Sequence, residues 1–417
     1  MNFKVLSNRS VTSPEGFLAS GMNACIKKSS RKLDVSLIYS EVPAVSAGTF
    51  TTNRVKAWPL LHDLRIIRNQ YHRVIFSNSG NANCFNGKTG ERAVSVSLDL
   101  LSRKFRIPKS QIFLASTGII GRTFPIDRIE KAIPELVASL SKDGGYDAAR
   151  GILTTDTHPK EIAVRFLIDR KPVTLAAMAK GAGMVYPDMN ATGIRNKNLK
   201  GRHATMLCFL TTDLHISKSM LQKALSYAVD ETFNKIMIDN DRSTNDTVLI
   251  LANGKAGNRK ITTANRRFHL FQDALVYVCE FIAKGLVHDG EGVTHVCEVM
   301  VKGARSLREA RRLCDTVSSS MLFKTMLAGE DPNWGRLMGS IGASGVRFSP
   351  KLDISFDGVP ILLNGKEKVR NKGRVRRILK KKEFRLEINL KSGRYQERFW
   401  TTDLTKFYVW INSRYST

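Results

Sequence analysis

The sequence predicts a mixed α/β fold. Short apolar, strand-like runs alternate with amphipathic helical stretches along the chain. Residues 163–168 and 173–179 read as two antiparallel strands around a turn at 169–171. No GxGxxG or GxxxxGK[ST] pattern follows a strand, so a nucleotide-binding βαβ series has no support. An α/β chain with long antiparallel segments remains.

The elements follow in order. Residues 35–40 form a short apolar strand, and 74–76 lead into the loop 77–83 (SNSGNAN). Residues 112–115 lead into Ser116-Thr117-Gly118, and 128–141 carry apolar residues at helical spacing. Residues 206–210 and 248–252 are strand-like. Residues 217–236 form an amphipathic helix with Ser217 as its N-cap, and 306–317 a second helix opened by Ser306. A long helix spans 267–287, a strand 296–301, and residues 353–411 read mostly as strands. Residues 189–203 (MNATGIRNKNLKGRH) are polar, basic and glycine-containing, and read as an exposed loop.

Composition excludes several classes. Of 417 residues, 42% are hydrophobic and 25% charged, which is globular rather than disordered. No apolar run reaches the ~18–20 residues that span a bilayer, and residues 1–10 hold no signal-like apolar region. Six cysteines lie scattered without a CxxC pair, so they read as reduced cytosolic thiols and no metal is expected. The formal charge of +29 points first to nucleic acid or acidic ligands. However, residues 1–204 hold 31 basic and 15 acidic residues and residues 205–417 hold 35 and 22, so the surplus is spread evenly. The densest run, 366–385, has eleven basic residues against Glu367 and Glu383. From 366 to 376 they recur at every second position, which predicts the solvated face of an edge strand or hairpin. The charge therefore reads as surface character, and no nucleic-acid or membrane partner is expected.

Polar clusters at strand ends are the places for chemistry. They are 77–83, 116–121 (STGIIG), 154–160 (TTDTHPK), 178–184 (MAKGAGM), 204–207 (ATML), 239–247 (DNDRSTNDT) and 289–292 (DGEG). Each alone is ordinary turn chemistry. There is no GxSxG elbow, and no histidine stands beside a nucleophile signature. A threonine nucleophile with its own α-amine as base is left, which requires an N-terminal Thr made by internal cleavage. Ala204-Thr205 suits it: a small residue, then Thr, at the start of an apolar strand directly after a polar loop.

With these motifs in order, the chain resembles the ornithine acetyltransferase (glutamate N-acetyltransferase) family of arginine biosynthesis. The matching segments begin with Gly16-Phe17 and Ala19-Ser20-Gly21, then Phe50-Thr51-Thr52-Asn53-Arg54-Val55-Lys56-Ala57. Asn78-Ser79-Gly80-Asn81-Ala82-Asn83, Ser116-Thr117-Gly118, Thr154-Thr155-Asp156-Thr157 and Ala179-Lys180-Gly181-Ala182-Gly183-Met184 follow. Next come Ala204-Thr205-Met206-Leu207, Ser243-Thr244-Asn245-Asp246-Thr247, Asp289-Gly290-Glu291-Gly292 and Gly329-Glu330-Asp331-Pro332-Asn333-Trp334-Gly335-Arg336. The likeness runs from near Ser13 to the last residue.

The resemblance implies stacked β-sheets between helix layers in a self-processing, N-terminal-nucleophile-like fold. It implies cleavage between Ala204 and Thr205, giving an alpha chain 1–204 and a beta chain 205–417 assembled as a heterotetramer of two of each. Thr205 would be the nucleophile, and Thr117 and Gly118 the oxyanion donors. Thr154, Lys180, Thr205, Glu291, Asn412 and Thr417 would contact substrate. Acetyl would pass from N-acetylornithine to Thr205 and on to glutamate, with no cofactor; whether acetyl-CoA is also a donor stays open. An amidase or aminopeptidase of the same self-cleaving class, or an inactive basic binding protein, are the alternatives. The family motif begins close to Met1, which makes the cytoplasm the expected location.

One departure stands out. The family runs from Pro-Asn-Met directly into Ala-Thr-Met-Leu, whereas here Pro187-Asp188-Met189 is followed by an insertion, 190–203, and Asp188 replaces the usual Asn. Ala191-Thr192 forms a second Ala-Thr, but Met206-Leu207 and Thr211-Thr212-Asp213 continue the family pattern only after Thr205.

Overall fold

A computed structural model describes residues 3–7, 10–27, 31–194 and 206–414. The fold is mixed α/β, as expected, with two multi-stranded sheets and eleven α-helices among the described residues. The chain divides into two compact units: Met1–Gly181, Pro187–Asn234 and Asp241–Leu286 form the first, and Ala182–Tyr186, Lys235–Asn240 and Val287–Thr417 the second.

The first unit is built on a ten-stranded sheet. Its main path runs Phe3–Val5, Lys160–Ile168, Lys171–Lys180, Leu207–Thr212, Thr247–Ala252, Val35–Thr51, His72–Asn81 and Ile112–Ile119. The expected hairpin is present: Lys160–Ile168 and Lys171–Lys180 pair antiparallel. Asp169 and Arg170 both have positive φ, +52° and +63°, which is the two-residue turn whose twist matches paired strands. Two registers matter for chemistry. Ser77–Gly80 run parallel beside Ala115–Gly118, and Lys180 faces Leu207, which in turn faces Thr247. Ile38, Ile75, Phe113, Phe209 and Leu249 pack in one core of this unit. Leu101, Ile129 and Leu136 of helices Gly87–Phe105 and Ile126–Ala138 join a second. Truncating one such Phe to Ala costs ~3–5 kcal/mol.

The second unit holds a seven-stranded sheet centred on Val296–Ala304, Glu383–Asn389 and Tyr395–Thr402. Its core includes Val299, Phe323, Leu337, Leu386 and Phe399.

Helix starts follow the capping residues. Ser217 accepts a hydrogen bond from Met220 N at the start of Lys218–Glu231, and Ser306 one from Glu309 N at the start of Leu307–Ser318. The basic run 366–385 differs from expectation. Lys366–Glu367 and, at its far end, Glu383–Arg385 are strand, but Lys372–Leu379 between them is an α-helix. Val375, Ile378 and Leu379 recur at i, i+3 and i+4 and are buried, and that apolar stripe outweighs the alternating charges. The C-terminal stretch also ends in a helix, Lys406–Asn412, capped by Thr405. No described helix is long and apolar enough to cross a membrane.

Candidate active site

In the first unit, Thr117 and Gly118 lie at the end of strand Ile112–Ile119. Gly118 has φ +132°, and a Cβ there would come 2.4 Å from Gly80 C and 2.6 Å from Asn81 N. Only glycine fits both the conformation and the space. The ladder is irregular at this point: Asn81 faces both Thr117 and Ile119, a bulge of the kind that re-aims backbone groups.

The Thr117 hydroxyl accepts a hydrogen bond from Lys180 Nζ at 3.3 Å. Because the lysine fills an acceptor position, the hydroxyl proton is left to donate elsewhere. Lys180 closes strand Lys171–Lys180 and lies 3.8 Å from the Asp156 carboxylate. Asp156 gathers the site. Its Oδ1 accepts from Lys160 Nζ at 2.6 Å and Gly181 N at 2.8 Å, and its Oδ2 accepts from Thr154 N at 3.1 Å and Thr154 Oγ1 at 3.5 Å. Burial opposes ionisation of Asp156, but the charges of Lys180 and Lys160 and the hydrogen bonds overcome it, holding the carboxyl below its ordinary range. Asp156 therefore ties together Thr154 and Lys180, two of the expected substrate contacts. In the sequence Asp156 stands inside the TTDT motif with no role of its own. An acid among hydroxyl residues, four positions before Lys160, was the available signal.

The Ser243–Asp246 motif had no assigned role. Asn245 Nδ2 donates to Ala82 O and Ser116 O, at 2.8 and 2.7 Å, and Thr51 Oγ1 donates to Ser243 O at 2.9 Å. Asp246 is fully buried and accepts from Met206 N. The motif thus ties the Thr117 strand to Met206, the residue just before the Leu207–Thr212 strand. Asp188, the departure from the family Asn, accepts from Thr52 Oγ1 at 2.9 Å and lies 3.8 Å from Arg242, so its charge is compensated.

Ala204, Thr205 and Thr417 lie outside the described residues. Of the expected positions, Thr117, Gly118, Thr154 and Lys180 are in the first unit, and Glu291 and Asn412 in the second. Glu291 Oε2 accepts from Asn412 Nδ2 at 2.8 Å, and Glu291 N donates to Ala182 O at 2.8 Å. Thr405 Oγ1 donates to Gly292 O at 2.7 Å, securing the 289–292 loop to the cap of the last helix. A Cβ on Gly183 would come 2.4 Å from Glu291 Cδ, so the glycine admits the carboxylate.

A threonine hydroxyl beside a glycine N–H, backed by a buried lysine, is a donor set for the oxyanion of acyl transfer. Such a donor set on a mixed α/β scaffold suits the chemistry of the acyltransferase class. The pattern of the ArgJ family matches residues 18–417, and the chain belongs to that family. It is 40% identical over 409 residues to an arginine biosynthesis bifunctional protein ArgJ of Symbiobacterium thermophilum, covering 98% of each chain. It is also 40% identical over 422 residues to a glutamate N-acetyltransferase of Methanocaldococcus jannaschii, again covering 98% of each. Among solved structures, an ornithine acetyltransferase of Mycobacterium tuberculosis complexed with ornithine is 34% identical, with a TM-score of 0.42, covering 45% of this chain and 99% of that one.

Proposed function

We infer that this chain is an acetyltransferase of arginine biosynthesis, which moves the acetyl group of N-acetylornithine to glutamate through an acetyl-threonine at Thr205. The Lys180–Thr117–Asp156 arrangement, in a chain of the ArgJ family, carries the reading. The precursor cleaves between Ala204 and Thr205 into chains 1–204 and 205–417, which assemble as a heterotetramer in the cytoplasm.

The steps balance as follows. The Thr205 hydroxyl oxygen attacks the acetyl carbonyl carbon while its proton passes to the Thr205 α-amine. A free α-amine has a pKa of about 7.7–8.0, near working pH, where a general base is most useful. The oxyanion is met by Gly118 N–H and the Thr117 hydroxyl proton. The C–N bond breaks, and ornithine leaves with the proton from the ammonium. The glutamate amine then attacks the acetyl ester and gives its proton to the Thr205 α-amine, which passes it to Thr205 Oγ as the ester C–O bond breaks and the hydroxyl is restored. Lys180 holds a substrate carboxylate, and Glu291, steadied by Asn412, holds a substrate ammonium.

Two measurements test the reading. Intact mass of the purified protein is expected to show two chains broken at 204/205, and Thr205→Ala a single uncleaved chain. Acetylglutamate is expected to form from N-acetylornithine. Splitting at the same bond in Thr205→Ala would overturn the nucleophile. Running the reaction with acetyl-CoA instead decides whether the chain has the second donor activity suggested by its bifunctional relatives.

A further inference from the structure

Lys27 belongs to none of the motifs above. It follows strand Phe17–Met22 in a turn organised by Asp34. The N–H groups of Ala24, Ile26 and Lys27 donate to the Asp34 carboxylate, at 2.6, 2.6 and 3.0 Å, and this fixes the Lys27 backbone. The side chain then lies against Gly80. A Cβ on Gly80 would come 2.9 Å from Lys27 Cγ and 3.4 Å from Lys27 N, so the glycine is what lets the lysine stem rest there. Gly80 is the register partner of Gly118. The Lys27 stem therefore runs beside the strand end that carries the oxyanion donors.

Its ammonium donates to Leu33 O at 2.7 Å. Among the described residues its hydrogen bond goes to this carbonyl, while the Asp34 carboxylate is turned to the backbone N–H groups of the turn. Burial lowers the Lys27 pKa to about 8; Asp34 opposes this, Lys32 and Lys180 add to it, and Asp156 opposes it. Lys27 thus shares the electrostatic environment of Lys180 and Asp156.

The reaction gives such a group a task. Donor and acceptor both carry an α-carboxylate, and Lys180 supplies one cation for it. Glutamate alone brings a second carboxylate, on its side chain, and a carboxylate leaving water needs a compensating charge. We propose that Lys27 is the specificity-determining cation for the acceptor and binds the side-chain carboxylate of a dicarboxylic amino acid. The proposal rests on the acetyltransferase reading above. It also accommodates the cation-tailed donor, since an ammonium that titrates near working pH sheds its proton readily when ornithine's side-chain ammonium lies nearby.

The experiment compares glutamate with glutamine, an uncharged isostere, as acetyl acceptors for the matured protein. Wild type is expected to prefer glutamate. Lys27→Met is expected to raise the KM for glutamate about tenfold or more and to reduce the glutamate-over-glutamine preference by about the same factor, as loss of one charge-assisted contact implies. Lys27→Arg keeps the preference. Lys27→Gln, which retains a donor for Leu33 O, loses it, and this variant decides the matter where Lys27→Met does not fold. An unchanged preference in the soluble uncharged variant, or an equal rise in KM for N-acetylornithine and glutamate, would overturn the proposal. A wild type that does not acetylate glutamate at all would instead overturn the acetyltransferase reading.

Discussion

Lys180 donates to the hydroxyl of Thr117 across 3.3 Å, joining residues 63 positions apart in the chain. The bond fixes the hydroxyl as an acceptor from lysine, and in the proposed mechanism its proton meets the developing oxyanion. Thr117→Val keeps the shape and deletes both functions. It is expected to lower kcat about 10²- to 10³-fold, the usual cost of one oxyanion donor. An interaction made mainly in the transition state, as the proposed mechanism requires of Thr117, lowers kcat and kcat/KM together. Thr117→Ser is expected to restore most of the rate. Steady-state kinetics on the three proteins checks this, and a change confined to KM would show that Thr117 only binds substrate.

Asp156 and Lys160 form a buried pair at 2.6 Å. Removing one partner of such a pair strands the other charge away from water. Asp156→Asn is therefore expected to cost about 3–5 kcal/mol of stability at pH 7. The pH dependence follows from the depressed carboxyl. As pH falls, the unfolded chain, with an Asp pKa near 3.9, takes up its proton first. The pair's contribution is whole above about pH 4 and is lost below it as the folded pKa is approached. Denaturant titrations at pH 7 and pH 3 should show the gap between wild type and variant shrinking at the lower pH. Equal gaps would mean that the charge is not its source.

His72 loses stability in the same direction, as pH falls, but at higher pH and by keeping a neutral ring rather than a charge. It is fully buried, its Nδ1 lies 2.8 Å from Ser46 Oγ and its Nε2 3.1 Å from Ile66 O. The carbonyl can only accept, so Nε2 carries the proton and Nδ1 accepts from the serine. Burial, aided by the Lys218 charge, lowers the His72 pKa to about 3. The folded protein keeps this ring neutral while the unfolded chain protonates below about pH 6.5. Stability is thus drawn down as pH falls from about 6.5 toward 3, by about 1.4 kcal/mol per unit where only the unfolded state is protonated. Urea titrations between pH 7 and 4 are expected to show a steeper loss in wild type than in His72→Gln. Parallel slopes would place the acid sensitivity elsewhere.

How far the sequence reaches is seen in particular residues. Ser217 and Ser306 were legible as caps because capping is local, and the turn at 169–171 because two strands meet at it. The helix Lys372–Leu379 was not, since alternating lysines and arginines hid the buried triplet Val375, Ile378 and Leu379. Asp156 was legible as a residue but not as the partner of Lys180, because that meeting depends on the register that brings two strand ends together. Asn245 reaching Ser116 is the same case, a hydrogen bond spanning 129 positions. Residue types and their order are written locally; which strand end faces which is set by sheet pairing.

Gly183 gives a test of the second unit on its own. A methyl there would come 2.4 Å from Glu291 Cδ and Oε2 and 2.6 Å from Oε1, far inside van der Waals contact. The carboxylate must then leave its place and lose the 2.8 Å bond from Asn412 Nδ2. If Glu291 holds a substrate ammonium, Gly183→Ala should raise KM by about the amount that Glu291→Gln does, roughly tenfold or more for one charge-assisted hydrogen bond. The two changes act on one carboxylate, so their combination should cost little more than either alone. A double-mutant cycle on KM measures this. Additive effects would show that the glycine acts through something other than Glu291, and a normal KM in Glu291→Gln would remove the carboxylate from substrate binding altogether.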